Sequence, residues 1–166
     1  MIQPNVAVLK PEEGMFELSL LNAEASETRF DDLVVYAIER GIPPELITRL
    51  NEIWDAAQVI AGEVVAVGRI IVGRIIEFMR QNPKLTLGLA LGAAVAALVG
   101  GIPLIGPLLQ PLSGWVATLY GGGVGAAMQQ GDFSGSPFTA ATELASKFFE
   151  LLVAIFRSVA SYWAAA

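Results

Sequence analysis

The chain predicts a mainly α, membrane-associated helical protein, and three observations carry that prediction. Apolar residues recur at three- and four-residue spacing through most of the sequence, which is the period of a helix with one buried face. Between Leu85 and Gly131 there is no Asp, Glu, Lys or Arg. Overall the chain is 54% hydrophobic and 16% charged with a mean hydropathy of +0.59, whereas soluble domains carry about a quarter charged residues. The order of elements follows from these patterns. A short extended N-terminal segment plus a short helix fills 1–42, a long amphipathic helix fills 43–82, a glycine-rich hydrophobic helical hairpin fills 83–131, and a C-terminal amphipathic helix fills 132–166.

Residues 1–24 contain two short runs with partial alternation, "NVAVLK" and "MFELSLL", separated by Pro11 and Gly14. That pattern predicts a β-hairpin or an edge strand lent to a partner. From Ser26 the period becomes helical. In "SETRFDDLVVYAIERG" the apolar positions Phe30, Leu33, Val34, Ala37 and Ile38 fall on one side, and Gly41 is a natural C-terminal stop. Pro44 and Glu45 then make a good first turn, and no further proline occurs before Pro83. Leu46, Leu50, Ile53, Ala57, Ile60, Val64, Val67 and Ile71 follow as a helix-packing seam. Unbroken, that helix would reach about 55 Å at 1.5 Å per residue. Its second half, "VVAVGRIIVGRIIEFM", is apolar apart from Arg69, Arg74 and Glu77 and suits a less aqueous setting. The repeated "GRII" at Gly68 and Gly73 matches no structural period and predicts no architecture.

"GGIPLIGPLLQP" places Pro103, Pro107 and Pro111 four residues apart inside the uncharged stretch. Each proline removes a backbone donor and crowds the preceding turn, so 101–111 is the hairpin bend. The two arms, Leu85 to Gly101 and Leu112 to Met128, would each rise about 26 Å, at the short end of what crosses a bilayer core. Gly88, Gly92, Ala96 and Gly100 recur every four residues on the first arm. Gly114, Thr118, Gly122 and Ala126 do the same on the second. Such small-residue stripes let helix backbones approach closely, in lipid above all. Trp115 and Tyr120 are the arm's candidates for the level of the headgroups.

Arg69, Arg74, Arg80 and Lys84 precede the hairpin as a candidate membrane-interface collar. Cations in that position orient a membrane protein and attract anionic headgroups by about 1 kcal/mol each. The same four residues also fit a solvated helix face beside a core. A two-pass hairpin returns both termini to one side, expected to be the cytoplasmic or interior side of the membrane.

In 132–166, "GDFSGSP" reads as a linker, with Ser136 as N-cap and Pro137 at the first helical position. Leu144, Phe148, Leu151, Leu152, Ile155, Phe156, Val159 and Tyr162 form a broad apolar face. Lys147, Glu150 and Arg157 on the other face would be costly at mid-bilayer, so this helix is expected to lie on a partner or a membrane surface.

A net charge of −6 and a pI near 4.6 argue against nucleic-acid binding, which needs a basic face. Neither cysteine nor histidine is present, which removes disulfides, thiolate nucleophiles, most zinc and haem sites and the usual proton shuttle. Glu12 with Glu13 and Asp31 with Asp32 read as solvated surface. None of Lys10, Lys84 and Lys147 sits in a Ser-x-x-Lys setting. "YGGGVGA" lacks the Lys-Ser/Thr of a phosphate loop and reads as helix packing. The N-terminus has neither the basic nor the apolar region of a secretory signal.

The expectation is therefore a non-enzymatic integral membrane subunit with no cofactor, no metal, no nucleic acid and no small-molecule substrate. It would anchor or organise a larger complex, such as a secretion apparatus or a membrane-containing virion, with the lipid membrane, copies of itself or other protein subunits as partners. The alternative is a pore-forming or holin-like protein. In architecture alone, over residues 85 to 128, the uncharged hairpin among amphipathic helices resembles the hydrophobic hairpin of colicin-type pore domains, which a soluble bundle hides until it meets a membrane.

Overall fold

The computed structural model describes residues 9–110, 112 and 137–164. Its first element is a helix, α1 (Pro11–Glu27), where the sequence reads as extended chain. Proline at the first helical position presets φ, and Glu12 and Glu13 favour the positive end of the helix dipole. The Glu13 Oε1 also accepts the Lys10 backbone N–H at 2.9 Å. Gly14, Leu18 and Ala25 form the buried side. The alternation in "MFELSLL" is too short to compete with this start chemistry.

Helix α2 (Phe30–Arg40) ends where Gly41 turns left-handed, at φ 89°, as expected from the sequence. Helix α3 (Pro44–Trp54) then buries Leu46, Leu50, Ile53 and Trp54. Here the expected long helix over 43–82 is corrected: it is two helices separated by an antiparallel β-hairpin. Strands β1 (Gln58–Ile60) and β2 (Glu63–Val65) pair with Val59 opposite Val64. Ala61 and Gly62 form the two-residue turn with φ 52° and 82°, the positive pair that twist-matched hairpins require. The β-branched residues on both sides favour a pleated surface, and a helix would pay about 1 kcal/mol for Gly62. The expected seam is broken at this point: Ala57 is exposed and Val64 is 68% exposed, and the inward residues of the two strands are Ile60 and Val65.

The hairpin is held by α1. Asn22 Nδ2 donates to the Val64 carbonyl at 3.3 Å, and Asn22 Oδ1 accepts the Ala66 N–H at 2.9 Å. Val64 belongs to the pair whose backbone groups point away from the partner strand, so the amide side chain substitutes for a third strand.

Helix α4 (Val67–Gln81) is the centre of the fold. Nine of its residues are buried, among them Ile71, Ile75, Phe78 and Met79, and it packs against α1, α3 and the next helix, α5 (Leu87–Gly101). The less aqueous setting read from its sequence is the protein's own interior. Thr86 caps α5 by accepting the Leu89 N–H at 3.3 Å. As expected from the prolines, α5 stops at Gly101, and a 3₁₀ turn over Pro103–Ile105 leads into a helical run over 106–110. Apart from Leu112, the second arm, with Gly114, Thr118, Gly122 and Ala126, lies outside the described residues, as do Pro111, Trp115, Tyr120 and Ser136.

The single C-terminal helix of the sequence reading is three: α6 (Pro137–Phe148), α7 (Glu150–Ser158) and α8 (Ala160–Ala164). The chain bends at Phe149 and Val159, both fully buried, with φ, ψ of −91°, 4° and −106°, 10°. Those bends let one apolar face follow a curved core. Phe149 and Phe148 meet Phe78 of α4 with ring centroids 5.7 and 5.4 Å apart. Helix α6 covers α5, α7 crosses α1, and α8 reaches β1. Among the described residues, no helix is long and apolar enough to cross a membrane.

Candidate partner-binding surfaces

Three surfaces collect the residues that the sequence singles out. The first is the small-residue stripe of α5. Gly88 and Gly92 are buried, Ala96 is half-buried and Gly100 is exposed. The stripe thus enters the core at its N-terminal end and leaves it at the other. The buried face of α5 continues with Ala90, Ala93 and Ala94, small side chains on the helix against which α6 lies. The close approach to α7 is made by Gly101, where a Cβ would stand 2.8 Å from Val153 Cγ2. Ala96, Gly100 and Gly101 open instead into a groove of about 280 Å³ whose far wall carries Thr142, Ser146 and Arg157. Of the bend prolines, Pro103 opens the 3₁₀ turn and Pro107 is exposed.

The second surface is the arginine stripe of α4. Arg69 lays its guanidinium over Trp54, 5.5 Å from the ring centroid, and Arg80 does the same over Tyr36 at 4.8 Å. Such contacts contribute about 0.5–1 kcal/mol at exposed sites. With Arg74 between them, these side chains line a groove of about 380 Å³ between α1 and α4, opposite Glu24 and beside Glu77. The fold therefore brings three of the four collar residues together on the narrow open strip of a core helix. Lys84 does not join them: it is exposed on the α4–α5 connection.

The third surface takes one wall from the apolar face expected at the C-terminus, through Phe148, Leu151, Leu152 and Ile155, and the other from α1, which the sequence does not single out. A groove of about 580 Å³ runs between α1 and the α6–α7 corner. Leu20, Phe148 and Leu151 make it apolar, Glu17, Glu24 and Glu27 rim it along α1, and Arg74 lies where it meets the arginine groove. The sequence signal for it exists in hindsight. From Pro11 to Glu27 there are five glutamates and no cation, with Leu20 and Leu21 among them.

Two further residues matter to the scaffold and were invisible in the pattern. Arg40, in the last turn of α2, donates Nη1 to the Pro83 carbonyl at 3.2 Å and Nη2 to the Leu85 carbonyl, tying down the chain that enters α5. Gly68 sits against the end of α3 and donates its N–H to the Ala56 carbonyl at 3.0 Å. Among the described residues, no group of three or more acidic side chains is placed to hold a metal ion. Set against protein-family models, curated proteins and solved structures, the chain matches none.

Proposed function

We propose that this protein is a non-enzymatic membrane-anchored assembly subunit: the uncharged stretch from Leu85 to Gly131 engages lipid, and the acidic helical shell built by α1 to α4 faces water and protein partners. The observation that carries the proposal is the segregation of charge. Every Asp, Glu, Lys and Arg of the chain lies outside 85–131. A water-facing surface of that length would normally be about a quarter charged. Helix α5 alone, at about 22 Å, is shorter than the roughly 30 Å hydrocarbon core, so a span draws on the bend or on residues beyond it. The small-residue face of α5 supports the same reading, because close packing of that kind holds helices together in lipid as well as in water. A secretion apparatus or a membrane-containing virion is the kind of assembly such a subunit would serve, with further copies or other subunits on its helical shell.

One observation favours a second reading. The apolar arm α5 is sheathed by α4 and α6, with Ala90, Leu91, Ala93, Ala94 and Leu98 all buried. A pore-former of colicin-like architecture would need such a cover before it meets a membrane. Liposomes loaded with a small dye separate the two. The assembly subunit floats with the liposomes and leaves them sealed, since α5 presents small and apolar faces but no polar stripe to line a channel. Reproducible dye release at a low protein-to-lipid ratio would put the pore-former in its place.

A further inference from the structure

The groove between α1 and the α6–α7 corner has a shape and a charge that together specify an occupant. We propose that it is the docking site for a basic amphipathic helix of a partner protein, an inference that deepens the assembly reading by naming the partner's chemistry and that does not depend on the membrane. The floor is apolar and open. Leu20 and Leu151 are 50% and 48% exposed, beside the half-buried Leu21 and Phe148. Large apolar side chains bared side by side on two helices lose less by meeting a partner's apolar face than by staying in water. The α1 wall from Glu17 to Glu27 is about 15 Å long, which matches about three turns of a docked helix.

The rim selects the partner's polar face. Glu17, Glu24 and Glu27 border the floor, and α1 carries no cation from end to end. Among the described residues that line the groove, Arg74 is the one cation opposed to them. Lysines or arginines flanking an apolar stripe would therefore meet carboxylates on the α1 side, an arrangement that steers association and fixes orientation. The same charge argues against two other occupants. Anionic headgroups would be repelled by this rim. A second copy placing its own α1 here would oppose glutamate to glutamate, and two of the three arginines of α4, Arg69 and Arg80, are laid over Trp54 and Tyr36.

The test uses the full-length chain and three fluorescent 18-residue peptides. One is a leucine–lysine peptide with all leucines on one helical face, the second has glutamate in place of lysine, and the third has the first peptide's composition in shuffled order. Fluorescence anisotropy should show saturable binding of the first peptide at least tenfold tighter than of the other two. Raising the salt should weaken it. Leu20→Ser and Leu151→Ser, both at exposed positions, should each reduce that affinity at least tenfold. Replacing Glu17, Glu24 and Glu27 by Gln should flatten the salt dependence. Equal binding of the shuffled peptide would reduce the site to a diffuse acidic surface, and equal binding of the glutamate peptide would remove the role of the rim. Either result overturns the proposal, as does a Leu20→Ser change that shifts only the chain's own self-association in sedimentation. The comparison among peptides stands on the unmodified protein, so it decides the matter even if a variant fails to fold. Membrane flotation of the same variants should be unchanged, so a failure here is distinct from a failure of the membrane-anchored reading.

Discussion

Gly68 and Gly73 stand five residues apart in α4 within the same "GRII" context, and replacing each by alanine should move stability in opposite directions. At Gly68 an added Cβ would lie 1.6 Å from the Ile53 carbonyl oxygen and 2.7 Å from its carbon. Both are backbone atoms, so no side chain can swing aside. Relief requires α3 to back away from α4, which stretches the Gly68 N–H bond to Ala56. Overpacking of this kind costs about 1–3 kcal/mol or more, the hydrogen bond adds about 1, and alanine's better helix propensity returns at most about 1. The net loss is about 1–4 kcal/mol, or about 2–15 °C in Tm for a chain of this size. At Gly73 no described atom lies within 4 Å of the added Cβ. There only propensity and unfolded-chain entropy operate, and Gly73→Ala should raise Tm by about 2–4 °C. Thermal and urea unfolding followed by far-UV circular dichroism reads both. Equal effects of the two changes, or a neutral Gly68→Ala, would refute the close α3–α4 contact on which the position of the central helix depends.

The remaining predictions concern the hairpin clasp and the small-residue stripe. Asn22→Ala should cost about 1–3 kcal/mol by leaving the Ala66 N–H and the Val64 carbonyl without their partner, seen as a lower urea midpoint and faster hydrogen exchange at Ala66. An unchanged exchange rate there would mean that the clasp contributes nothing. On α5, Gly92→Leu should destabilise by about 1–3 kcal/mol because Gly92 is buried, whereas Gly100→Leu should be tolerated, because Gly100 is exposed and no described atom lies within 4 Å of a Cβ added there. Equal loss from both in denaturant titrations would show that the stripe does not enter the core where described.

Some of this architecture is legible in the sequence because one residue type has one physical use there. Gly41 ends α2, Pro44 opens α3, and the prolines after Gly101 stop α5. The β-hairpin is hidden because Ile60 and Val64 sit four apart, which extends the helical spacing of α3 into that of α4, although in the strands it is Ile60 and Val65 that face inward. "VIAGEVV" carries the correcting signal, a glycine between β-branched pairs. The start of α1 is likewise written in Pro11, Glu12 and Glu13, outweighing the weak alternation that follows. For the candidate surfaces, the residues are legible and their surroundings are not. The arginines of α4 stand out as a stripe, yet only the fold shows Trp54 and Tyr36 beneath two of them. The acidic groove depends on α1 meeting α7, a contact between residues more than a hundred positions apart that leaves no trace in local periodicity.

The central claim, that the uncharged stretch from Leu85 to Gly131 places this chain in a lipid bilayer, is tested most directly by alkaline carbonate washing of membranes from cells that express the full-length chain alone. The chain should stay in the washed membrane pellet with integral membrane proteins. Release into the supernatant together with peripheral proteins would contradict the claim and leave α5 as the core helix of a bundle that works in water.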